Sequence, residues 1–310
     1  MNMNSDRWLL RKEEGDDCGI TSVGGAAFSL ANKIESSTVD WRLFPIREML
    51  SRGWVAFESS VEKTEEELVA VFFDMVPNWE RLCPLYRTTQ MRSEKWIDPY
   101  SLAAWTARVV IKAQQENIKR HFQTDSIDLS LMTRIGKLSV RESGPKDAKT
   151  ILSDYGIALV IEPHLPRTHL DGAALAAGED RAVIGLTVRY DRIDNFWYSL
   201  MHELAHLALH VAHEGESHFF DDFNATAGID PREREADDLA KEALIPQNKW
   251  EASPASLLPS KEAAELLAKQ LDIHPAIVAG RVRFERTYTF LSQHVGQKGI
   301  RYQFPNIQWS

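Results

Sequence analysis

The sequence predicts an α+β fold, mainly helical, with a small sheet packed beside one long amphipathic helix. Three observations predict it. Most of the chain breaks into segments with helical hydrophobic period and recognisable caps. One stretch, from about 157 to 188, has instead the short β-branched runs of strands. Directly after it, Ile193, Phe196, Trp197, Leu200, Leu204, Leu207 and Val211 fall at helical spacing, a single apolar stripe on a helix from about 194 to 213.

The elements follow in order. Residues 1–40 are polar, with scattered Gly and Ser, and read as a poorly structured lead-in with one short helix near 27–35. Residues 41–140 read as a helical region. "FPIREMLSRGW" has Pro45 at a helix start and Gly53 past its end. "KTEEELVAVFFDMV" opens on a Thr64/Glu67 capping box. "DPYSLAAWTARVVIKAQQEN" opens on the Asp98 cap with Pro99 at the first helical position, and "DLSLMTRIGKLS" is a shorter helix. Residues 145–310 read as a second domain. A helix ends at Gly156, "IALVIEP" is a strand closed by Pro163, and two more strands flank Gly178-Glu179-Asp180. After the long helix come helices in "DPREREADDLAKEALIP", "SKEAAELLAKQLDI" and "HPAIVAGRVRFERTYTFLSQHV", with "GIRYQF" as a closing strand.

Composition narrows the function. The 310 residues carry a net charge of −9, which argues against a chain built to grip phosphate backbone. Cys18 and Cys83 are far apart and form neither a disulfide framework nor a metal-binding pair. No apolar run approaches a membrane span, and no leader is read at the N-terminus, so a cytoplasmic protein is expected.

The chemistry concentrates in "HELAH" at 202–206. His202 and His206 stack on one helix face, about 6 Å apart along the axis, and can converge on one tetrahedral zinc. Glu203 lies about 100° further round and can reach a metal-activated water without binding the metal. This is the arrangement for peptide hydrolysis, with Glu203 as general base. His210 lies about 12 Å of rise beyond His202 with no glycine turn before it, so it is expected to pack or to bond a ligand rather than bind metal. His213 and His218 are expected on the surface. For the third ligand, Glu235 sits at the edge of the apolar stripe Ala236, Leu239, Ala240, Ala243 and Leu244, while Glu233 lies about 200° away from it; Glu235 is the expected ligand. Asp221 or Asp222 could hold the outer nitrogen of a histidine. Arg189, Tyr190, Arg192 and Tyr198 are oxyanion candidates, although ion pairs to Asp191 or Asp194 are favoured for the two arginines. The strands at 157–161 and 182–188 could offer an edge to an extended peptide. "EAAELLAKQLDIHPAIVAGRVRF" has a superficial helix–turn–helix look, with Arg281, Arg283 and Arg286 expected in solvent rather than on phosphates.

"HELAHLALH" at 202–210, followed by "EADDLAKEALIP" at 235–246, resembles the ImmA/IrrE metallopeptidase family. The resemblance implies a zincin-like sheet beside the HExxH helix, zinc held by His202, His206 and Glu235, and Glu203 as the catalytic acid/base. Asp237 stands where the family often has Asn. "PHLPRTHLDGAAL", "GLTVRYDRIDNFWYSLMHELAH" and "IHPAIVAGRVRF" are similar to a narrower branch, in which the peptidase follows a HigA-type helix-turn-helix antitoxin. Residues 1–40 are too short for such a module of about 60 residues, so DNA binding is not expected from this chain. The family implies an endopeptidase that cuts a protein regulator such as a helix-turn-helix repressor, and so acts in transcription regulation. The alternative is an antitoxin or regulator that works by partner binding through residues 41–140, with little or no peptidase activity.

Overall fold

A computed structural model describes residues 40–57, 63–76, 98–176, 181–211, 231–286 and 289–309. Trp41–Ser310 make one compact unit. The short helix expected near 27–35 lies outside the described residues.

The N-terminal caps act as the sequence predicts. Helix α1 (Ile46–Ser51) follows Pro45 and is closed by Gly53 at φ +64°. Helix α2 (Glu65–Asp74) starts on a complete capping box: Glu67 N donates to Thr64 Oγ1 at 3.2 Å, and Thr64 N donates to Glu67 Oε2 at 2.7 Å. Helix α3 (Pro99–Gln115) starts on Asp98, whose carboxylate accepts from Tyr100 N and Ser101 Oγ. Helix α4 (Leu129–Lys137) is capped by Asp128, and α5 (Gly144–Ser153) leads to Gly156. Gly156 has φ +76°, and a Cβ there would stand 2.4 Å from Phe122 N, so only glycine fits.

Strands β1 (Ile157–Ile161), β2 (Gly172–Ala176) and β3 (Ala182–Leu186) form one sheet in the order β1-β3-β2. β1 and β3 are parallel; β2 and β3 are antiparallel. β1 and β3 are buried along their whole length, which explains their continuous apolar runs. Alternation divides the residues between two faces. Ile157, Leu159 and Ile161 of β1, with Ile184 and Leu186 of β3, join the core that also holds Trp197, Leu200 and Leu204. The opposite face carries Gly185, where a Cβ would meet Trp105 at 2.8 Å and Val109 at 2.9 Å. Helix α3 therefore lies directly on that face, and Trp105 Nε1 donates to the Glu162 carbonyl at 2.9 Å.

Helix α6 (Ile193–His206) backs the other face, and the chain continues as a π-helical segment, Leu207–Val211. The sequence expectation of a uniform helix to 213 is corrected here: the α register stops at His206. Helices α7 (Pro231–Leu244), α8 (Gln247–Glu251), α9 (Pro254–Leu257), α10 (Lys261–Leu271) and α11 (Pro275–Glu285) complete the core. Helix α11 ends about ten residues before its expected stop. The expected closing strand is also absent. Asp191 Oδ1 accepts from Ile300 N and Arg301 N, and Arg301 reaches the Val188 and Arg189 carbonyls, so this segment folds as a 3-10 turn over the start of α6. Arg281 is largely buried and donates to the Ile245 carbonyl, whereas Arg286 is exposed, as expected, and donates to the Ser256 carbonyl. Among the described residues, no helix is long and apolar enough to cross a membrane.

His274 caps α11: its Nδ1 accepts from Ala276 N at 3.0 Å, which requires the neutral ring, and burial lowers its pKa. The proton therefore binds better to the unfolded chain. The stabilisation is complete above the ordinary value of about 6.5 and is lost as the pH falls through the folded-state value. His274→Ser keeps a cap without the titration. Urea midpoints at pH 8 and pH 5 should show wild type losing more stability than the variant; an equal loss would remove His274 as an acid-sensitive cap.

Candidate metal centre

The apolar stripe of α6 pins the helix between the sheet and α7, with Phe196, Trp197, Leu200 and Leu204 fully buried. That fixes which way the neighbouring polar positions point. His202 and His206 emerge one turn apart toward α7, and Glu203 turns toward the sheet. Helix α7 buries Ala236, Ala240, Ala243 and Leu244. Its small residues let the two helices approach closely.

The imidazoles converge. His202 Nε2 and His206 Nε2 are 3.0 Å apart. Glu233 completes a triangle, with Oε2 at 3.2 Å from His202 Nε2 and Oε1 at 3.4 Å from His206 Nε2. Two ligands at zinc distances of about 2.0–2.1 Å and tetrahedral angles are separated by roughly 3.3 Å, so these edges match one face of a zinc tetrahedron. Two imidazoles and a carboxylate are also a donor set suited to zinc. Among the described residues, His202, His206 and Glu233 are the group that could hold a metal ion.

The structure thus brings Glu233, not Glu235, to the histidines. Glu235 is exposed. The helical wheel gives the reason. Glu233 lies about 60° round from Ala236, on the side toward which Ala240 and Leu244 extend; Glu235 lies about 100° round on the other side. Glu235 adjoins Ala236 in sequence but not on the wheel.

The outer nitrogen of His202 also has a partner. Nδ1 is 3.0 Å from Asp237 Oδ1, and Tyr198 Oη donates to the same oxygen at 2.6 Å. Asp237, where the family often has Asn, is expected to alter only the hydrogen bonding behind the ligands, and the structure places it against His202. The signal was present, because Asp237 is one turn after Glu233 and must share its face. Asp221 and Asp222, proposed for this duty, lie outside the described residues, as do His213 and His218. His210 behaves as expected of a non-ligand. Its ring lies 5.4 Å from that of His206, and its Nε2 is 3.2 Å from the Arg232 carbonyl, beside Glu233. The π-helical segment carries it there.

Charge is unevenly distributed. Burial pushes the Glu203 carboxyl up to about 7. Burial pulls the His202 imidazolium down, but Asp237 and Glu233 outweigh it and raise its pKa to about 10. Hydrogen bonds from His202 and His206 hold Glu233 well below the usual carboxylate range. Burial works against ionised Asp237, yet His202 and Tyr198 hold its pKa down. Burial and the Asp237 carboxylate push the Tyr198 hydroxyl up.

Glu203 lies against the first residue of β2. A Cβ on Gly172 would stand 2.7 Å from Glu203 Oε1 and 2.9 Å from its Cγ. Among the described residues β2 is an edge of the sheet, as is β1, whereas β3 is paired on both sides. The expectation that 182–188 offers an edge is therefore corrected. The remaining oxyanion candidates are engaged. Arg192 pairs with Asp194, and Arg189 Nε is 3.2 Å from Asp171 Oδ1, while Tyr190 takes both guanidinium groups on its ring.

Residues 155–281 match the family model described as the IrrE N-terminal-like domain, Peptidase_M78. These residues form an ImmA/IrrE-family domain. The match takes in all three strands, α6, α7 and the first part of α11. No curated protein and no solved structure matches the chain. The ImmA/IrrE-family domain points to a metallopeptidase, and the two site helices fall within it.

Elemental analysis tests the ligand set. Protein prepared without chelator should carry about one zinc per chain. His202→Ala and Glu233→Ala should lose it, whereas Glu235→Ala should keep it. Loss in Glu235→Ala with retention in Glu233→Ala would reverse the assignment.

Proposed function

We propose that this chain is a zinc-dependent endopeptidase that cleaves a protein regulator, such as a helix-turn-helix repressor. The observation that carries the reading is the convergence of His202, His206 and Glu233, with Glu203 alongside, inside an ImmA/IrrE-family domain. The substrate class rests on the family resemblance alone, and a repressor substrate would place the work in the cytoplasm.

His202, His206 and Glu233 would hold the ion, which supplies Lewis acidity toward water and the substrate carbonyl. Glu203 is neither a ligand nor exposed, and its carboxylate is directed by the close approach of Gly172. In the reaction it accepts a proton from the attacking water and delivers one to the leaving amine. The water oxygen bonds to the carbonyl carbon and the C–N bond breaks. The unpaired side of β2 begins beside Glu203 and offers main-chain groups to an extended substrate. Such pairing would lay the peptide across the acid/base residue.

Glu203→Gln should lower cleavage at least about 100-fold, the usual contribution of a positioned general base, with zinc content unchanged. Full cleavage by the variant would end the peptidase reading and favour partner binding. Gly172→Ala inserts a methyl group into the space of the Glu203 carboxyl. It should cost about 1–3 kcal/mol of stability and reduce turnover while leaving zinc bound. Wild-type turnover in Gly172→Ala would show that β2 does not set the position of Glu203.

A further inference from the structure

We infer that Asp237, itself held by Tyr198, is a positioning residue for the metal centre: it turns the His202 ring so that Nε2 faces the ion. The inference rests on the zinc reading above and concerns residues that are not themselves ligands.

An imidazole can present either nitrogen to a metal, and only the nitrogen without hydrogen can bind. His202 Nε2 faces His206 and Glu233, so a metal bound there would require the ring hydrogen on Nδ1. Asp237 Oδ1 stands 3.0 Å from that atom, the nearest carboxylate oxygen to which Nδ1–H can turn. A carboxylate is the strongest side-chain acceptor available for this task, and it increases the basicity of the opposite nitrogen. An Asn in its place, as the family pattern often has, can accept the bond but brings no charge.

Asp237 is in turn constrained from three sides. Tyr198 Oη donates to Oδ1 at 2.6 Å. Lys241 Nζ lies 3.9 Å from Oδ2, so the second oxygen faces a cation. The backbone of α7 places Asp237 one turn from Glu233. The Tyr198 ring also lies beside the His202 ring, with centroids 6.2 Å apart and planes tilted by 30°. Tyr198 and Asp237 therefore act on His202 as a unit, and the contribution of Tyr198 passes largely through Asp237.

The test is zinc affinity of the full chain, measured by competition with a chromophoric chelator, for wild type, Asp237→Asn, Asp237→Ala, Tyr198→Phe and the Asp237→Ala/Tyr198→Phe double variant. Removing a partner of this kind typically weakens zinc about 10- to 100-fold, which is the expectation for Asp237→Ala. Asp237→Asn should fall between it and wild type. Tyr198→Phe should weaken zinc roughly 2- to 10-fold, as expected for one hydrogen bond. The double variant should be no worse than Asp237→Ala, the mark of two groups acting in series. Circular dichroism of the metal-free proteins checks folding. If Asp237→Ala does not fold, Asp237→Asn takes its place in the cycle. Zinc binding as tight as wild type in the folded Asp237 variants, or additive losses in the double variant, would overturn the positioning role while leaving the zinc site intact. Wild-type protein that binds no zinc would instead overturn the metallopeptidase reading, and this inference with it.

Discussion

The antiparallel pairing of α6 and α7 is the constraint on which the site depends. Along α6 the polar residues come at steps of four: Tyr198, His202, His206 and, through the π-helical segment, His210. Along α7 they run the other way: Lys241, Asp237 and Glu233, with the Arg232 carbonyl at the end. Each residue of one series meets its neighbours in the other, so that Tyr198 meets Asp237, His202 lies between Asp237 and Glu233, His206 meets Glu233, and His210 meets Arg232. A slip of one turn, about 5.4 Å, would break every rung at once. The register is held by apolar side chains on the same two helices, above all Leu200, Leu204, Ala236 and Ala240.

The sheet performs a different task. Its three strands are too few to stand alone, and they are sandwiched instead: α3 lies on the Gly185 face and α6 on the other. Because β2 lies at the edge beside α6, the close approach of Gly172 keeps Glu203 near an edge strand. The acid/base residue is thus placed by helix–sheet packing, whereas the candidate ligands are placed by helix–helix packing. The two sets share only α6, where Glu203 follows His202 directly and faces about 100° away.

Much of this was legible in the sequence because local rules govern it. Thr64, Asp98, Asp128 and Ser260 cap helices as their residue types require, and Gly53 and Gly156 close turns that need positive φ. The HELAH spacing gave His202, Glu203 and His206 their mutual geometry. What remained illegible depended on tertiary context. The helical wheel already separates Glu233, about 60° from Ala236, from Glu235, about 100° away on the other side, but nothing local says which face of α7 meets the histidines. The π segment after His206 has no signature in "LALHV". The GIRYQF segment reads as a strand until the side chain of Asp191, more than a hundred residues earlier, takes its backbone N–H groups.

The electrostatics of the centre follow from how many carboxylates it gathers. Glu203, Glu233 and Asp237 surround two imidazoles, with Glu203 buried and the other two carboxylates half-buried. Lys241 stands beside Asp237, and protons relieve more of the negative charge. The shifts run in that direction: the His202 imidazolium is favoured up to about 10, and the Glu203 carboxyl retains its proton up to about 7. Glu233 and Asp237 remain ionised because the His202 proton is already shared with them. A divalent ion held by His202, His206 and Glu233 would supply the same charge from one point, and it would release the His202 proton from Nε2 while leaving Nδ1–H on Asp237. The arrangement that gathers three carboxylates around two histidines is therefore well matched to a dication. The buried apolar faces of α6 and α7 hold the two helices, and so the five side chains, in that arrangement.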